Sequence, residues 1–337
     1  MFVALLVGIY SAYKHFSGLD PLKIDPQAVV SELLAGKVPK EVLEILSSVK
    51  VTQGLSNQIS QKALGQKKSQ EMPAENSKKE AGSAADTANS DASGAGKNLL
   101  FRFLLLADSH NDNVDLSKAI NQAKGSYPDL KFIIGLGDYT DVGTVEELKK
   151  AKKELDSVGL RYFLIPGDHD LWDCRNRQLI PTACFKEVFG PSYQAFTYEN
   201  FEFLLLNNAD NYIGVDQEQS QWIDQELERS KQSGVKGVFV FLHEPLYHPS
   251  SDHVMGWVEK SLKSQGQELM FRLKEGGAVK IFAGDIHYFS QYTEPKTGLA
   301  MVTVGAVGLE RNPQVPRFAA VSVFEDGSTE VEDVEIK

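Results

Sequence analysis

Between Leu99 and the C-terminus, short apolar runs alternate with stretches that have helical spacing. The apolar runs are LFRFLLLA, KFIIGLG, RYFLIPG, FEFLLLN, GVFVFLH and VKIFAG. The helix-like stretches between several of them are DLSKAINQAKGSY, TVEELKKAKKELDSVG and QEQSQWIDQELERSKQSG. Continuous apolar strands separated by helices are typical of buried sheets covered by helices. The pattern therefore predicts an α/β domain over residues 98–337, closed by antiparallel strands from LAMVTVGAVG onward.

The chain before this domain follows a different pattern. Residues 1–19 contain the uncharged run FVALLVGIYSAY, which is shorter than the roughly 18–20 residues that span a bilayer. A membrane anchor, an unusual signal peptide and a helix packed on the protein are the alternatives for this segment, and we favour the anchor. Residues 20–51 are predicted to form two short helices. Residues 52–97 are polar and lack aromatic side chains, which predicts a disordered linker.

Charge and cysteine content bear on partners and compartment. The chain has 46 acidic and 35 basic side chains, a formal net charge of −11. A nucleic-acid backbone would repel such a protein, so we expect no binding of that kind. Cys174 and Cys184 fit either a disulfide bond, which needs an oxidising compartment, or two separate buried thiols. The anchor, the linker and a possible disulfide favour the extracytoplasmic side of a membrane, with the cytoplasmic face as the alternative.

Residues of metal-binding type follow five of the predicted strands. They are Asp108 and His110, then Asp138, then Asp168, His169 and Asp170, then His243, then Asp285 and His287. In open α/β sheets, ligands bind where the carboxyl ends of the strands converge. One acid or imidazole after a strand is common by chance, but the same arrangement after five strands indicates a shared pocket. Gly137, Gly167 and Gly284 fit a backbone that must turn tightly beside metal ions.

The order of these motifs resembles that of the calcineurin-like metallophosphoesterases, in which D-x-H, G-D, G-N-H, a single His and G-H-x-H follow one another. The resemblance extends from about Leu99 to Glu330. It implies a four-layer α/β/β/α sandwich and a phosphoester hydrolase that uses two divalent metal ions and a bridging hydroxide. It also implies a set of metal ligands: Asp108, His110 and His287 at the first ion, Asp138 between the ions, and Asp168, His243 and Asp285 at the second. His169 would be the catalytic imidazole, and Asp170 would orient it.

Two positions depart from the family pattern. Asp168 stands where the family usually has Asn, and Asp285 stands where it usually has His. The ligand set would then carry four negative charges instead of two. The alternatives are a trivalent second ion, which would balance more of this charge, or one Asp that does not bind. Mn, Fe, Mg and Zn are the candidate ions, and oxygen ligands favour Mn, Mg or Fe over softer ions at the second position. A dianionic phosphomonoester would be attracted less, so we expect a preference for phosphodiesters.

Several residues near the motifs have open roles. Asn111 and Arg311 are candidates for contacts to the substrate, whereas His248 and His253 are interpreted as surface histidines and Asp141 as a turn residue. An alternative to the enzyme is a tethered, non-catalytic binding module on a degenerate metallophosphoesterase scaffold. The two Asp replacements are its only support. A membrane contact through residues 1–19 and a phosphoester substrate are the expected partners.

Overall fold

The computed structural model describes residues 97–337. The predicted anchor (1–19), the helical region (20–51) and all but the last residue of the predicted linker (52–97) lie outside the described residues. These assignments, and the domain boundary at residue 98, therefore stay predictions. Within residues 97–337, no helix is both long enough and apolar enough to cross a membrane.

The described chain alternates strands with helices. The strands are β1 (Leu99–Leu106), β2 (Leu130–Gly135), β3 (Arg161–Leu164), β4 (Gln194–Tyr198), β5 (Phe201–Leu205), β6 (Val238–Phe241), β7 (Ala278–Ala283), β8 (Ser290–Thr293), β9 (Ala300–Thr303), β10 (Arg317–Phe324) and β11 (Thr329–Glu335). The helices are α1 (Asn113–Ser126), α2 (Val145–Ser157), α3 (Trp172–Asn176), α4 (Ala183–Phe189), α5 (Gln217–Ser233) and α6 (Leu262–Glu275). A 3₁₀ turn, His169–Leu171, directly precedes α3.

The strands form two mixed sheets. The first has the order β11-β10-β1-β2-β3 and the second has the order β4-β5-β6-β7-β9-β8. The strands β1, β2 and β3 run parallel, as do β5, β6, β7 and β9. The strands β10, β11, β4 and β8 pair antiparallel with their neighbours. Parallel strands place their carboxyl ends at one edge of each sheet, which is where the predicted site residues follow.

Side chains point alternately to the two faces of each strand, and this divides the hydrophobic core into three parts. Phe101 and Phe103 of β1 face the second sheet and pack with Phe203 and Phe241 between the two sheets. On the other face of β1, Leu104 and Leu106 belong to a cluster that includes residues of α1 and α2. A third cluster joins β5, β6 and β7 to α5 and α6. Helices therefore cover the outer face of each sheet, which confirms the predicted four-layer α/β/β/α sandwich.

One part of the predicted topology is wrong. The segment LAMVTVGAVG was expected to open a set of closing antiparallel strands, but β9 lies between β7 and β8 and runs parallel to β7. Only its pairing with β8, and the later strands β10 and β11, are antiparallel. The reason is that β9 follows β8, which returns the chain so that β9 can add to the parallel strands in their own direction.

Candidate metal centre

The carboxyl ends of five parallel strands bring the predicted ligands together. Asp108 follows β1, Asp138 follows β2 and Asp168 follows β3 in the first sheet. His243 follows β6 in the second sheet, and Asp285 and His287 follow β7. Their side-chain donor atoms form groups whose members lie within 4.8 Å of one another: Asp108, His110, Asp138 and His287; Asp138, Asp168 and His169; and Asp168, His243 and Asp285. We call the first of these groups cluster 1 and the last cluster 2.

Cluster 1 contains two imidazole rings whose Nε2 atoms face each other. The Nε2 atoms of His110 and His287 are 3.2 Å apart, and Nε2 of His287 lies 3.8 Å from Oδ1 of Asp108. Nδ1 of His287 faces the carbonyl oxygen of Arg311 at 3.1 Å. If that nitrogen donates its hydrogen to the carbonyl, Nε2 of His287 presents a lone pair to His110. Two ring nitrogens at this distance need a shared proton or a cation between them.

Cluster 2 is centred on the fully buried His243. Its Nε2 lies 3.6 Å from Oδ1 of Asp168 and 3.8 Å from Oδ1 of Asp285. Its Nδ1 lies 2.8 Å from the carbonyl oxygen of Leu136, which orients the ring so that Nε2 faces the acids. The side chain of Asn208 accepts hydrogen bonds from the backbone N–H groups of His243 and Glu244, which fixes this strand end.

Asp138 connects the two clusters through its two carboxylate oxygens. Oδ2 lies 3.6 Å from Nε2 of His110, and Oδ1 lies 3.6 Å from Nε2 of His243. The backbone around it is tightly packed: a Cβ atom on Gly167 would lie 2.0 Å from Oδ1 of Asp138, and one on Gly137 would lie 2.4 Å from the nitrogen of Gly167. Only glycine at these two positions lets the loops after β2 and β3 approach this closely.

Backbone strain is concentrated in this region. Among residues 97–337, ten residues other than glycine have positive φ, and five of them are predicted metal ligands. The five are Asp108 (55°), His110 (41°), Asp138 (54°), Asp285 (71°) and His287 (59°). Positive φ is uncommon outside glycine, and such strain persists only where the surrounding structure holds it, typically at functional sites.

The pKa shifts of the site residues without metal indicate that a positive charge is missing. Burial raises the pKa of the Asp138 carboxyl well above its usual value, and neighbouring acids add to this shift. Burial would lower the pKa of His243, but the charges of Asp138 and its acidic neighbours instead hold it well above its usual value. Burial, together with neighbouring imidazoles, lowers the pKa of His110 to about 2. The imidazole of His110 is thus neutral, whereas the acids hold a proton on His243.

The geometry and donor types fit metal ions. An ion bonded at about 2.0–2.2 Å to nitrogen and oxygen ligands spaces those atoms roughly 3.0–3.6 Å apart, close to the separations in both clusters. Within residues 97–337, Nε2 of His243 and Oδ2 of Asp285 are buried without a hydrogen-bond partner. Unpaired buried polar atoms are costly, so their convergence on one pocket suits cations that would satisfy them.

His169 and Arg311 lie beside the clusters. Nδ1 of His169 is 2.7 Å from the carbonyl oxygen of Asp141, and its Nε2 is 3.0 Å from a guanidinium nitrogen of Arg311. The ring also stacks on Trp172, with centroids 3.9 Å apart. Burial lowers the pKa of His169, which the charge of Asp168 opposes. The imidazole is therefore neutral near pH 7, and Nε2 accepts a hydrogen bond from Arg311.

The predicted role of Asp170 as the residue that orients His169 is wrong. Its carboxylate accepts hydrogen bonds from Thr140 Oγ1 at 2.8 Å and from the backbone N–H groups of Thr140 and Gly167 at 3.1 and 2.9 Å. It therefore joins the loop after β2 to the loop after β3. The carbonyl of Asp141, interpreted earlier as a turn residue, positions the ring instead.

The structure also bears on three other expectations. Asn111 donates its amide hydrogens to Asp141 and Glu147, both at 2.9 Å. An open cleft lies at the two clusters, and Asn111 does not line it. His248 is buried and contacts Ser290, so it is not a surface residue. The ring of His253 is half exposed, as expected for a surface residue, but its Nε2 lies 3.5 Å from Oδ1 of Asp285.

Sequence reasoning missed the polar residues after β5. Asn208 holds the backbone at His243, and Asn211 donates a hydrogen bond of 2.9 Å to Oδ2 of Asp168. Both follow the apolar run FEFLLL in the segment NNADN. This is the same signal, polar residues directly after a buried strand, that identified the ligands, so the pattern alone could have placed them at the site.

The sequence resembles a phosphoesterase family profile and several named phosphatases and phosphodiesterases. A sequence profile described as calcineurin-like phosphoesterase matches residues 101–289. Serine/threonine-protein phosphatase CPPED1 of Homo sapiens is 27% identical over 184 residues, which are 52% of this chain and 57% of that protein. The probable glycerophosphodiester phosphodiesterase GpdQ of Arcobacter nitrofigilis is 27% identical over 155 residues, 42% of this chain and 54% of that protein. The chain thus spans little more than half the length of these relatives.

Solved structures share the fold at low sequence identity. A dimetal phosphatase from Danio rerio superposes with a TM-score of 0.54 at 17% identity, covering 71% of this chain and 100% of that one. The purple acid phosphatase PPD1 from yellow lupin (Lupinus luteus) seeds gives a TM-score of 0.53 at 13% identity, covering 70% of this chain and 51% of that one.

Proposed function

The chain belongs to the calcineurin-like phosphoesterase family, and we propose that it hydrolyses phosphoesters at a centre of two divalent metal ions. Cluster 1 would hold one ion, cluster 2 the other, and Asp138 would bind both. The observation that carries this proposal is the position of Asp138, whose two oxygens lie 3.6 Å from an imidazole nitrogen of each cluster. The meeting of both clusters in one cleft favours an enzyme over a binding module without metal.

Two bound ions would supply an activated water between them and positive charge for the attacking and leaving oxygens of the phosphoryl group. The chain's residues hold these parts in place. The imidazole of His243 in cluster 2 has three carboxylate neighbours, Asp168 and Asp285 of the same cluster and the shared Asp138. This oxygen-rich set supports Mn, Mg or Fe there, while the two imidazoles of cluster 1 also suit Zn.

Arg311 would bind the phosphoryl oxygens, and His169 would position it. Arg311 carries a permanent charge and lies 3.0 Å from Nε2 of His169 at the edge of the cleft. His169, which is held by Asp141 and is neutral near pH 7, accepts a hydrogen bond from Arg311 and would keep the guanidinium in place rather than begin as a proton donor. Loss of a positioned donor to a charged transition state costs roughly a hundredfold in rate.

We further propose a preference for phosphodiesters. Relatives carry names of both phosphatases and phosphodiesterases, so family membership leaves this choice open. Charge supports the diester, because Asp108, Asp138, Asp168 and Asp285 together offset the charge of two divalent ions. A diester has one negative charge where a monoester near pH 7 has two, and a nearly neutral centre attracts the second charge less.

The test is a substrate panel with purified protein loaded in turn with Mn, Mg, Fe and Zn. Bis(p-nitrophenyl) phosphate and p-nitrophenyl phosphate share one leaving group, so their kcat/KM values compare diester with monoester directly. We expect metal-dependent turnover that favours the diester and falls about a hundredfold in His169→Ala. Lys118→Ala, a surface change on α1, serves as the matched control. No turnover with any metal would contradict the function, and a monoester preference would contradict the charge argument.

We also propose that residues 1–19 anchor the enzyme to a membrane with the phosphoesterase part on the extracytoplasmic side. The support is that Cys174 and Cys184 form a disulfide bond in the structure, and disulfides persist in oxidising compartments. Intact cells treated with an external protease should lose the domain, and removal of residues 1–19 should release it from the membrane fraction. A domain that resists protease in intact cells and is cut only after lysis would place it on the cytoplasmic face.

A further inference from the structure

The cleft above the two clusters is larger than a phosphoryl group requires. It encloses about 540 Å³, and its floor is formed by Asp138, Asp168, Asp285 and His287. Pockets of roughly 300–1,000 Å³ hold ligands of drug size, so a substrate in this cleft has space for a substituent beyond its phosphate. The residues that line the rest of the cleft therefore decide which ester is accepted.

Several apolar side chains line the cleft, and two of them are about half exposed. Trp257 and Val258 line it and are 47% and 48% exposed, and Ile286 and Pro313 line it as well. We call Trp257 and Val258 the apolar wall. The Lys260 ammonium lies 4.7 Å from the centroid of the Trp257 ring, but nearly half of the residue stays exposed at the cleft. Part of the indole is therefore open to a ligand.

The loop between β6 and α6 fixes the position of Trp257. Met255 is buried, with 1% of its surface exposed, and its N–H donates to the carbonyl of Pro245 at 2.8 Å. Gly256 then turns the chain with φ of +87°, and a Cβ atom there would lie 2.6 Å from the nitrogen of Lys263. A buried anchor followed by a tight turn thus holds the indole at the cleft, so the ring is positioned before a ligand arrives.

The apolar wall lies next to cluster 2. Nε2 of His253 is 3.5 Å from Oδ1 of Asp285, and its ring centroid is 5.9 Å from that of Trp257. The indole is therefore separated from the metal ligands by a single imidazole ring. Arg311 and His169 lie against each other elsewhere in the cleft, beside cluster 1. A phosphoryl group over the clusters would have the cationic pair near one ion and the apolar wall near the other.

Resting on the function proposed above, we propose that the apolar wall is a subsite for a planar aromatic group esterified to the phosphate, such as a nucleobase on its ribose or an aryl ring. Trp257 supplies a ring for stacking, which accepts any base or aryl face. The wall is bordered by the polar residues Ser251, His253 and Asn211. It therefore suits one ring system rather than an acyl chain, which needs a long continuous apolar groove.

The test compares ligands that share a phosphate and differ in the attached group. Inorganic phosphate, methyl phosphate, phenyl phosphate and adenosine 5′-monophosphate are measured as competitive inhibitors of diester hydrolysis by the metal-loaded full chain. Trp257→Ala should raise the inhibition constants of phenyl phosphate and the nucleotide roughly tenfold. The constants for inorganic phosphate and methyl phosphate should stay within twofold, and Trp257→Phe should retain most of the aromatic preference.

Phe271→Ala is the matched control, because Phe271 is also 47% exposed but lies on α6 outside this cleft. An equal rise for all four inhibitors in Trp257→Ala, or no rise for the aromatic pair, would overturn the subsite. If the wild-type protein hydrolyses no ester, the proposed function fails separately. Calorimetric binding of phenyl phosphate and methyl phosphate to the metal-loaded protein then measures the same aromatic preference without turnover.

Discussion

Asp138 is the residue on which the centre depends most. Its oxygens face an imidazole of each cluster, and Oδ1 also accepts a hydrogen bond of 3.0 Å from the backbone N–H of His169. One buried carboxylate thus links both clusters to the loop that carries His169. Its positive φ of 54° shows that the backbone is held in an uncommon conformation to make these contacts.

The first prediction concerns Asp170. Asp170→Ala would leave buried donors of Thr140 and Gly167 without an acceptor, so the free energy of unfolding should fall by about 3 kcal/mol. Urea unfolding measures this change. Asp224→Ala, which removes the largely exposed partner of Arg272, is the control and should cost less than about 1 kcal/mol. Equal small losses in both variants would show that Asp170 does not hold the two loops together.

Single residues differ in how far the sequence predicts them. The ligands were predictable because each follows a buried strand, and strand ends of one sheet edge must meet. The roles of Asp170 and Asp141 were not, because adjacent carboxylates are equivalent in a sequence. Only the path of the loops decides that the carboxylate of Asp170 faces backbone amides while the carbonyl of Asp141 faces the ring of His169.

Among the elements, the loop from His169 to Phe189 shapes one side of the centre. It begins with the 3₁₀ turn that holds His169, continues through α3 and α4, and is closed by the Cys174–Cys184 disulfide. Both helices are short, α3 with five residues and α4 with seven. Helices of this length have little stability of their own, so the crosslink and the packing of Phe185 must hold them.

The second prediction follows from that crosslink. A disulfide across a sequence separation of 10 residues stabilises by about 2–3 kcal/mol through the entropy of the unfolded chain. Cys174→Ala combined with Cys184→Ala should lower the unfolding free energy by that amount, measured by urea unfolding without reductant. Wild-type protein with a reducing agent should match the double variant. A reduced wild type as stable as the oxidised protein would show that the disulfide adds nothing to stability.

Elements with strong patterns were predicted well, and the others were not. The strands β1, β2 and β7 and the helices α1, α2 and α5 appear where continuous apolar runs and helical spacing placed them. The helix α6 was missed because Gly266 interrupts its pattern. A Cβ atom on Gly266 would lie 3.4 Å from the sulfur of Met255. The strand β8 has the sequence SQYT, which has no apolar run to identify it.

At the scale of the whole molecule, the two sheets bring together clusters that neither could form alone. Cluster 1 draws Asp108, His110 and Asp138 from the first sheet and His287 from the second. The phenylalanine-rich core between the sheets sets their separation, with Phe103 packed on Phe241 and Phe282. The sequence predicted this layered fold, but it could not predict register between sheets, which depends on the packing of these rings.

The third prediction concerns protons released on metal binding. Without metal, the acids around His243 hold its pKa well above 6.5, so this imidazole is protonated at neutral pH, whereas His110 is neutral. An ion bound to Nε2 of His243 must displace that proton, so its affinity should rise about tenfold per pH unit at pH values below the pKa of His243 in the folded protein. Calorimetry in two buffers of different ionisation enthalpy counts the protons. Binding without proton release at pH 7 would contradict this charge state.

The raised pKa of His243 also makes the stability of the metal-free protein depend on pH, in the direction opposite to metal affinity. A pKa raised by folding stabilises the native state below the unfolded value, near 6.5 for His243, and that contribution is lost as the pH rises through the folded value. The metal-loaded protein should therefore gain stability over the metal-free protein as the pH rises.

The central claim is that two ions share the carboxylate of Asp138. Electron paramagnetic resonance of protein loaded with two equivalents of Mn²⁺ tests it most directly, because ions joined by a common ligand are magnetically coupled. The account predicts two ions per chain with an exchange-coupled spectrum, and a weaker coupling or loss of one ion in Asp138→Asn. A single bound ion, or two ions that give the spectrum of isolated Mn²⁺ in the wild-type protein, would contradict it.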